Sequence, residues 1–174
     1  PVGGSDCKLG CKRRAEQQAE TRLKIVEAAV DLHGTVGPAN TSLSMVAERA
    51  GVQRNTLYAH FPDLRSLLMA CSGLSLERSP PPDAADWLAV ADRAERLRHG
   101  LKAVYAWYAA NTELFGCVLR DAEHHVLTRE IAELRFGPVV AAWRETLGAG
   151  QTEPQRALLG LALSAKPSFR PSPP

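Results

Sequence analysis

The segment GVQRNTLYAHFPDL, residues 51–64, carries an unusual concentration of hydrogen-bond donors. A segment that only covered a hydrophobic core would hold more apolar positions and fewer donors. Its polar side chains are of the kinds that bind base edges and phosphates in nucleic acids. They belong to Gln53, Arg54, Asn55, Thr56, Tyr58 and His60. These residue types favour a contact with nucleic acid over a purely structural corner between two helices.

Two short helices around Gly51 would explain how the segment presents these donors. Glycine allows a sharp turn at a position where a side chain would be strained. Val52 is expected to fill the gap between the two helices, and Leu57 to face the first of them. That first helix is expected to begin with an N-cap at residues 41–42. Its buried side is expected to comprise Leu43, Val46, Ala47 and Ala50. The pattern predicts a helix-turn-helix.

The second helix of such a motif lies in the major groove and contacts bases from its N-terminal residues. Arg54 suits a bidentate contact with guanine, Asn55 suits adenine, and the methyl group of Thr56 suits the methyl group of thymine. Phosphate contacts fix the position of the protein without selecting a sequence. They are expected from Ser42, Tyr58 and His60, with Ser42 offering its hydroxyl and its backbone N–H.

The composition is that of a globular protein. The chain has 174 residues, of which 45% are hydrophobic and 23% are charged. This predicts a real core in one domain, or in one small module joined to a larger one. The formal net charge of +2 is too small to indicate a nucleic-acid binder, so such a role must depend on a local patch.

The cysteines and the lack of long apolar runs predict a soluble, cytoplasmic protein. Cys7, Cys11, Cys71 and Cys117 do not have the paired spacing of a structural zinc site, and a disulfide framework is not favoured. No apolar run approaches the ~20 residues that cross a bilayer, and the first residues lack the apolar core of a signal peptide.

Helical periodicity without strand-like alternation predicts an all-α fold in four parts. Residues 1–16 are predicted to be a flexible basic arm, and residues 17–62 a three-helix, helix-turn-helix DNA-binding domain. Residues 63–166 are predicted to form a helical effector-binding and dimerisation domain, and residues 167–174 a disordered Pro-rich tail. A shift in the phase of the apolar positions at Gly137-Pro138 predicts a kink or a break in one helix.

Catalysis and metal binding find little support. Adjacent residues on a helix point in different directions, so His124 and His125, next to Glu123, are expected to form an exposed polar run. No nucleophile with a base, phosphate loop or suggestive carboxylate pair is evident, and no cofactor or metal is expected. A small helical enzyme using these residues would require a bound metal.

The stretch TSLSMVAERAGVQRNTLYAHFPDLRSLL resembles the DNA-binding signature of the TetR family of transcriptional regulators, and the similarity extends from Arg22 to Leu68. The resemblance implies that Arg54, Asn55, Thr56 and Ser44 contact bases, and that Ser42, Tyr58 and His60 contact phosphates. Three positions depart from the family. Leu64 replaces a phosphate-binding lysine, for which Arg65 could substitute; Gln53 replaces a small capping residue; and His33 replaces a buried aromatic residue.

The resemblance also implies a repressor that leaves a palindromic operator in double-stranded DNA when a small effector binds. An apolar or aromatic effector is expected in a pocket lined by Trp87, Tyr105, Tyr108, Phe115 and Trp143. Family members form homodimers through their last two helices, but only residues 155–165 can supply one here, so the final dimer helix is expected to be missing. The alternative is a truncated regulator that binds a ligand or forms heterodimers without specific DNA binding.

Overall fold

The computed structural model describes residues 5–164, and these residues form α-helices without any strand, which confirms the all-α prediction. Two short 3-10 helices, Pro38–Asn40 and Ala84–Trp87, lie between α-helices. The α-helices are α1 (Ser5–Thr35), α2 (Leu43–Ala50), α3 (Arg54–His60), α4 (Leu64–Arg78), α5 (Arg93–Ala110), α6 (Thr112–Ala122), α7 (Val126–Gly148) and α8 (Glu153–Ser164). In this part of the chain, none of the helices combines the length and the apolar character that a membrane span requires.

Helix α1 begins at Ser5, much earlier than the start predicted near Gln17. The flexible arm predicted for residues 1–16 is therefore helical from Ser5 onward, and its first four residues lie outside the described part. Because residues 12–20 are all exposed, they have no apolar stripe to indicate a helix. Good helix formers and ion pairs at a spacing of four residues stabilise it instead, including Lys24 with Glu20 at 2.8 Å.

The N-terminal core lies between α1, α2, α3 and α4. Its fully buried members include Ile25 from α1, Val46 from α2, Leu57 from α3 and Leu67 from α4. Helix α4 contributes to this core as far as Leu74, beyond the domain boundary predicted at residue 62. The Pro-rich tail predicted for residues 167–174 lies outside the described residues.

The C-terminal core is built around aromatic side chains from the second 3-10 helix and from α5, α6 and α7. Trp107 lies at its centre, with its ring centroid 4.6 Å from that of Phe115 and 6.3 Å from that of Trp143. Helix α7 runs through Pro138 as one helix, so the predicted break does not occur. Side chains on both sides of the proline, Phe136 and Val140, pack on this same core and hold the helix together.

A buried carboxylate joins the two cores. Asp121 of α6 is fully buried, and it accepts hydrogen bonds from the backbone N–H of Ala39 at 2.9 Å and from Nε of Arg120 at 2.9 Å. Gly37 has a φ of +92°, and a Cβ at this position would run into the Asp121 and Arg120 side chains. The close approach of α6 to the end of α1 therefore requires glycine at position 37.

His33, near the end of α1, occupies the junction between the cores and is 3% exposed. Burial lowers the pKa of its imidazole from 6.5 to about 4, although the negative charge of Asp121 acts in the opposite direction. The His33 ring is therefore neutral at neutral pH. Its burial agrees with the expected role of this position in the core.

The lowered pKa of His33 predicts acid sensitivity of the fold. The unfolded chain binds a proton at this histidine more readily than the folded protein, so stability is present above pH 6.5 and is lost as the pH falls towards about 4. Urea titrations across this window should show the wild type losing about 3 kcal/mol more free energy of unfolding than His33→Phe. Replacing the exposed His99 by Gln is the control and should keep the wild-type slope. An unchanged slope in His33→Phe would contradict this assignment.

Candidate nucleic-acid interface

A short turn between α2 and α3 sets the position of the candidate interface. Gly51 adopts a left-handed conformation, with φ 66° and ψ 32°, and its N–H donates to the carbonyl of Glu48 at 3.1 Å. The next amide, that of Val52, donates to the carbonyl of Ala47 at 3.0 Å. These bonds satisfy carbonyls at the end of α2 and turn the chain directly into α3. The predicted helix-turn-helix is present.

Helix α3 is only seven residues long, and its apolar side packs against the N-terminal core. Leu57 and Phe61, four residues apart, are both fully buried in the N-terminal core. Because they occupy one side of the helix, the polar residues predicted to contact DNA are left on the other side. Gln53, Arg54, Asn55 and Tyr58 are exposed, whereas Thr56 and His60 are half-buried.

The exposed end of α3 carries an uncompensated charge. Arg54 forms no ion pair within residues 12–163, so its guanidinium is available to an external acceptor. The Tyr58 side chain, one helical turn later, is 49% exposed. Five guanidinium donors and a phenolic hydroxyl on the same face can contact base edges and phosphates together.

Ser42 and Ser44 place further donors at the start of α2. Ser42 is the N-cap: its Oγ accepts a hydrogen bond from the N–H of Met45 at 3.2 Å, which confirms the predicted helix start. Its side chain is exposed, and its hydroxyl proton remains able to donate to a phosphate. Ser44 is half-buried within the first turn.

Arg22 of α1 is a positioning residue that sequence reasoning missed. Its guanidinium donates to the carbonyl of His60 at 3.0 Å and lies 4.1 Å from the centroid of the Phe61 ring. Both contacts are to the C-terminal end of α3, so Arg22 fastens that end to α1. The spacing of 38 residues between Arg22 and His60 leaves no local sequence signal for this contact.

Arg65, expected to replace the missing phosphate-binding lysine at position 64, has a different partner here. Its guanidinium lies 2.7 Å from a carboxylate oxygen of Glu130 in α7, and both side chains are about half exposed. A contact of Arg65 with phosphate would therefore compete with this ion pair. Surface pairs of this kind contribute little stability, so this ion pair would be a weak competitor.

The N-terminal part of α1 forms a second wall beside α3. An open groove separates the two helices, and its α3 side includes Asn55 and His60. Its α1 side is formed by Arg13, Arg14, Gln17, Gln18 and Thr21. Arg13 and Arg14 fall within the flexible arm that was predicted from the sequence. Only the high helix propensity of these residues could have indicated that they form one wall of a groove.

A separate cavity of about 60 Å³ lies between α1, α4, α6 and α7. Of the residues expected to line an effector pocket, only Phe115 borders this cavity. Trp87 and Trp143 are buried in the aromatic core with their ring centroids 6.5 Å apart. Tyr105 and Tyr108 donate hydrogen bonds to carbonyls of α8. Apart from Phe115, these side chains do not border the cavity, and an effector pocket among them stays a prediction.

The histidines next to Glu123 show no sign of a metal site. His124 is exposed, and Nδ1 of His125 lies 2.6 Å from the hydroxyl of Thr128. Within the described residues, no group of three or more His, Cys, Asp or Glu side chains could hold a metal ion.

The contacts of Arg22 predict that this residue contributes measurably to the stability of the packing of α3 against α1. Arg22→Ala should lower the free energy of unfolding by about 1 kcal/mol, because it removes a charge-assisted hydrogen bond and a cation–π contact. Urea titration, with amide hydrogen exchange at Phe61, measures the loss. Lys24→Ala removes a cation from the same helix whose ion-pair partner within the described residues is the exposed Glu20, and should cost clearly less. Equal losses in the two variants would contradict the role given to Arg22.

Comparison with known proteins agrees with this geometry. Residues 25–71 match the family model described as bacterial regulatory proteins, tetR family. This range covers the second half of α1, the turn and both helices of the helix-turn-helix, and half of α4. No solved structure shows significant similarity to the chain.

Two curated regulators are similar over the same part of the chain. The HTH-type transcriptional regulator TtgR of Pseudomonas putida is 41% identical over 59 residues, which are 34% of this chain and 28% of that protein. The HTH-type transcriptional regulator AcrR of Shigella flexneri is 41% identical over 56 residues, which are 32% of this chain and 26% of that protein. The matched part thus spans about a quarter of each relative. The similarity to the tetR family of bacterial regulatory proteins therefore lies in the helix-turn-helix domain of the chain.

Proposed function

We propose that the chain is a transcriptional regulator that binds double-stranded DNA through α3 and acts as a repressor released by a small effector. The observation that supports this proposal best is the exposed polar face of α3. The opposite, apolar face of the helix is buried in the N-terminal core and so holds the polar face towards the solvent. A helix seated in this way can enter a major groove without unfolding or repacking.

The N-terminal residues of α3 would make the base contacts. Arg54 and Asn55 lie in its first turn and are exposed, so they can reach the edges of guanine and adenine. Thr56 would contribute its methyl group from the side of the groove. The exposed Tyr58 and the N-cap Ser42 would contact phosphates on either side, which fixes the register of α3.

The N-terminal part of α1 would add phosphate contacts that depend strongly on salt. Arg13 and Arg14 are exposed and face α3 across an open groove. Cations placed there lie on the same side of the protein as the proposed base contacts. Each phosphate contact releases bound counterions, so these residues would strengthen binding to any duplex.

Regulation would act through the elements shared by the two cores. Helix α4 packs in the N-terminal core and also borders the cavity through Leu68 and Cys71. An effector that fits the cavity in only one arrangement of α4 and α6 would shift the population towards that arrangement. Movement of α7 relative to α4 would then break or re-form the ion pair between Arg65 and Glu130. When the pair is broken, the Arg65 guanidinium would be free to contact a phosphate, and when it is formed that contact would be lost.

The protein would act on DNA as a homodimer. Helix α8 exposes Leu158 and Leu161, which are 66% and 70% accessible, on one side of the helix. Exposed leucines three residues apart form an apolar face suited to another copy of the same helix. Two copies of α3 would then contact half-sites of a palindrome about 34–36 Å apart.

Arg54 and Tyr58 provide the test of the proposed DNA contacts. A duplex is first selected from a random pool, and its affinity and that of an unrelated duplex are then measured by fluorescence anisotropy. Arg54→Ala should cost about 1–3 kcal/mol on the selected duplex and relax the preference at one base pair. Tyr58→Phe should weaken binding to both duplexes by the same factor, since a phosphate contact does not depend on sequence.

The outcome of these measurements decides between the two classes of contact. Equal losses on the selected and the unrelated duplex for Arg54→Ala would reject its role in base recognition. Failure of the wild type to enrich any sequence would reject the proposed function and favour a helical module without specific DNA binding.

The exposed leucines of α8 give a test of the dimer. Sedimentation at micromolar concentration should show the wild type as a dimer and the double variant Leu158→Glu, Leu161→Glu as a monomer, because two buried carboxylates would oppose association. Leu134→Glu is the matched control, since Leu134 of α7 is 55% exposed and lies outside α8. A wild type that sediments as a monomer would contradict the proposal.

A further inference from the structure

The connection between α4 and α5 contains three consecutive prolines, Pro80, Pro81 and Pro82. Proline has no backbone N–H, so these three residues can be held by hydrogen bonds only through their carbonyl groups. A run of prolines favours an extended conformation with three residues per turn, in which positions three apart face the same side. The carbonyls of Ser79 and Pro82 have this spacing and are therefore expected to face one surface.

Both carbonyls accept hydrogen bonds from tryptophans of the C-terminal core. Nε1 of Trp107 in α5 donates to the carbonyl of Ser79 at 3.1 Å, and Nε1 of Trp143 in α7 donates to the carbonyl of Pro82 at 2.8 Å. Both rings are buried, and their centroids lie 6.3 Å apart. An indole N–H can only donate, and it needs an acceptor when the ring is buried. The two bonds therefore hold the proline segment against the C-terminal core.

A third tryptophan in the same core lacks this role. Trp87 of the second 3-10 helix is buried, and its ring centroid lies 6.5 Å from that of Trp143. Within residues 5–164, the indole N–H of Trp87 has no hydrogen-bond acceptor. Trp87 thus adds ring volume to the core without holding the connection, which makes it a matched control for the other two.

The segment held in this way begins where α4 ends. Ser79 is the C-cap of α4, and its N–H donates to the carbonyl of Ser75 at 3.0 Å. Arg78, the last residue of α4, forms an ion pair with Glu27 of α1. The C-terminal end of α4 is therefore attached to α1 through Arg78 and to the C-terminal core through Ser79. At its other end, α4 follows α3 after only three residues, 61–63.

We propose that Trp107 and Trp143 are positioning residues, whose indole N–H groups clamp the α4–α5 connection and fix the C-terminal end of α4 on the C-terminal core. A change in the packing of α5 against α7 would then reach α4 through the connection. Because proline fixes φ, this segment transmits a displacement instead of absorbing it. The consequence for DNA binding rests on the proposed function, but the clamp itself does not.

The wild-type protein gives the first test. The exchange of the three indole N–H protons with solvent is measured by nuclear magnetic resonance on the full chain without DNA. The protons of Trp107 and Trp143 should exchange about tenfold more slowly than that of Trp87, because a hydrogen bond must open before each exchange. Equal exchange rates for all three protons would overturn the proposal, and this test does not depend on the folding of a variant.

Phenylalanine variants give the second test, since Trp→Phe keeps an aromatic ring and removes the N–H. The measured quantity is the rate of amide hydrogen exchange at Ser79 divided by that at Phe61, an amide of the N-terminal core. The double variant Trp107→Phe, Trp143→Phe should raise this ratio about tenfold, because the end of α4 is released. A general loss of stability would speed exchange at Phe61 as well and would not raise the ratio.

Trp87→Phe is the control for lost ring volume and should not raise the ratio. A ratio that stays unchanged in the double variant, or that rises equally in Trp87→Phe, would overturn the proposal. Should the double variant fail to fold, the single variants Trp107→Phe and Trp143→Phe are measured in the same way. Each should raise the ratio about threefold, and no rise in either would overturn the clamp.

The affinity for the selected duplex separates the clamp from the proposed function. A released α4 leaves α3 in the correct position in fewer molecules, so the double variant should bind about tenfold more weakly and Trp87→Phe should not. A raised exchange ratio with unchanged DNA affinity would support the clamp and contradict its role in DNA binding. Specific DNA binding by the wild type, with no rise in the ratio in the double variant, would overturn the clamp and leave the proposed DNA contacts intact.

Discussion

The orientation of α3 depends on the burial of Leu57 and Phe61. A helix of seven residues is too short to be stable in isolation, so packing must determine both its formation and its rotation. Burying each of these side chains contributes about 1.5–3 kcal/mol. With this side of the helix fixed, Arg54, Asn55 and Tyr58 have only the solvent side available to them. The orientation of the surface proposed to bind DNA therefore follows from the burial of two apolar side chains.

Local signals were sufficient to predict this part of the fold. Gly51, Val52 and Leu57 act within a few residues of one another, so their spacing indicates the turn and the inner face of α3 directly. The contact of Arg22 with His60 and the ion pair of Arg65 with Glu130 join distant elements, and no spacing in the sequence indicates them. The helical start of α1 was missed because exposed residues stabilise it without an apolar stripe.

The position of the cavity could not be predicted for a related physical reason. Aromatic composition indicates large side chains but does not show whether they enclose a space or fill it. Trp107 and Trp143 fill the C-terminal core with edge-to-face contacts, and the remaining space lies nearer α1. His33 is a departure from an aromatic position, and only the packing of α6 against α1 reveals that this residue borders a cavity. The buried Asp121 accepts a hydrogen bond from the 3-10 helix that follows α1 and so ties α6 to this junction.

The central claim is that the polar face of α3 is the surface that enters the duplex. Nuclear magnetic resonance titration of the isotope-labelled chain with its selected duplex tests this claim most directly. The account predicts that the largest changes in chemical shift occur at Arg54, Asn55 and Tyr58, with smaller changes at Ser42 and none on the exposed face of α5. Changes concentrated on another surface, with α3 unaffected at saturating DNA, would contradict the account.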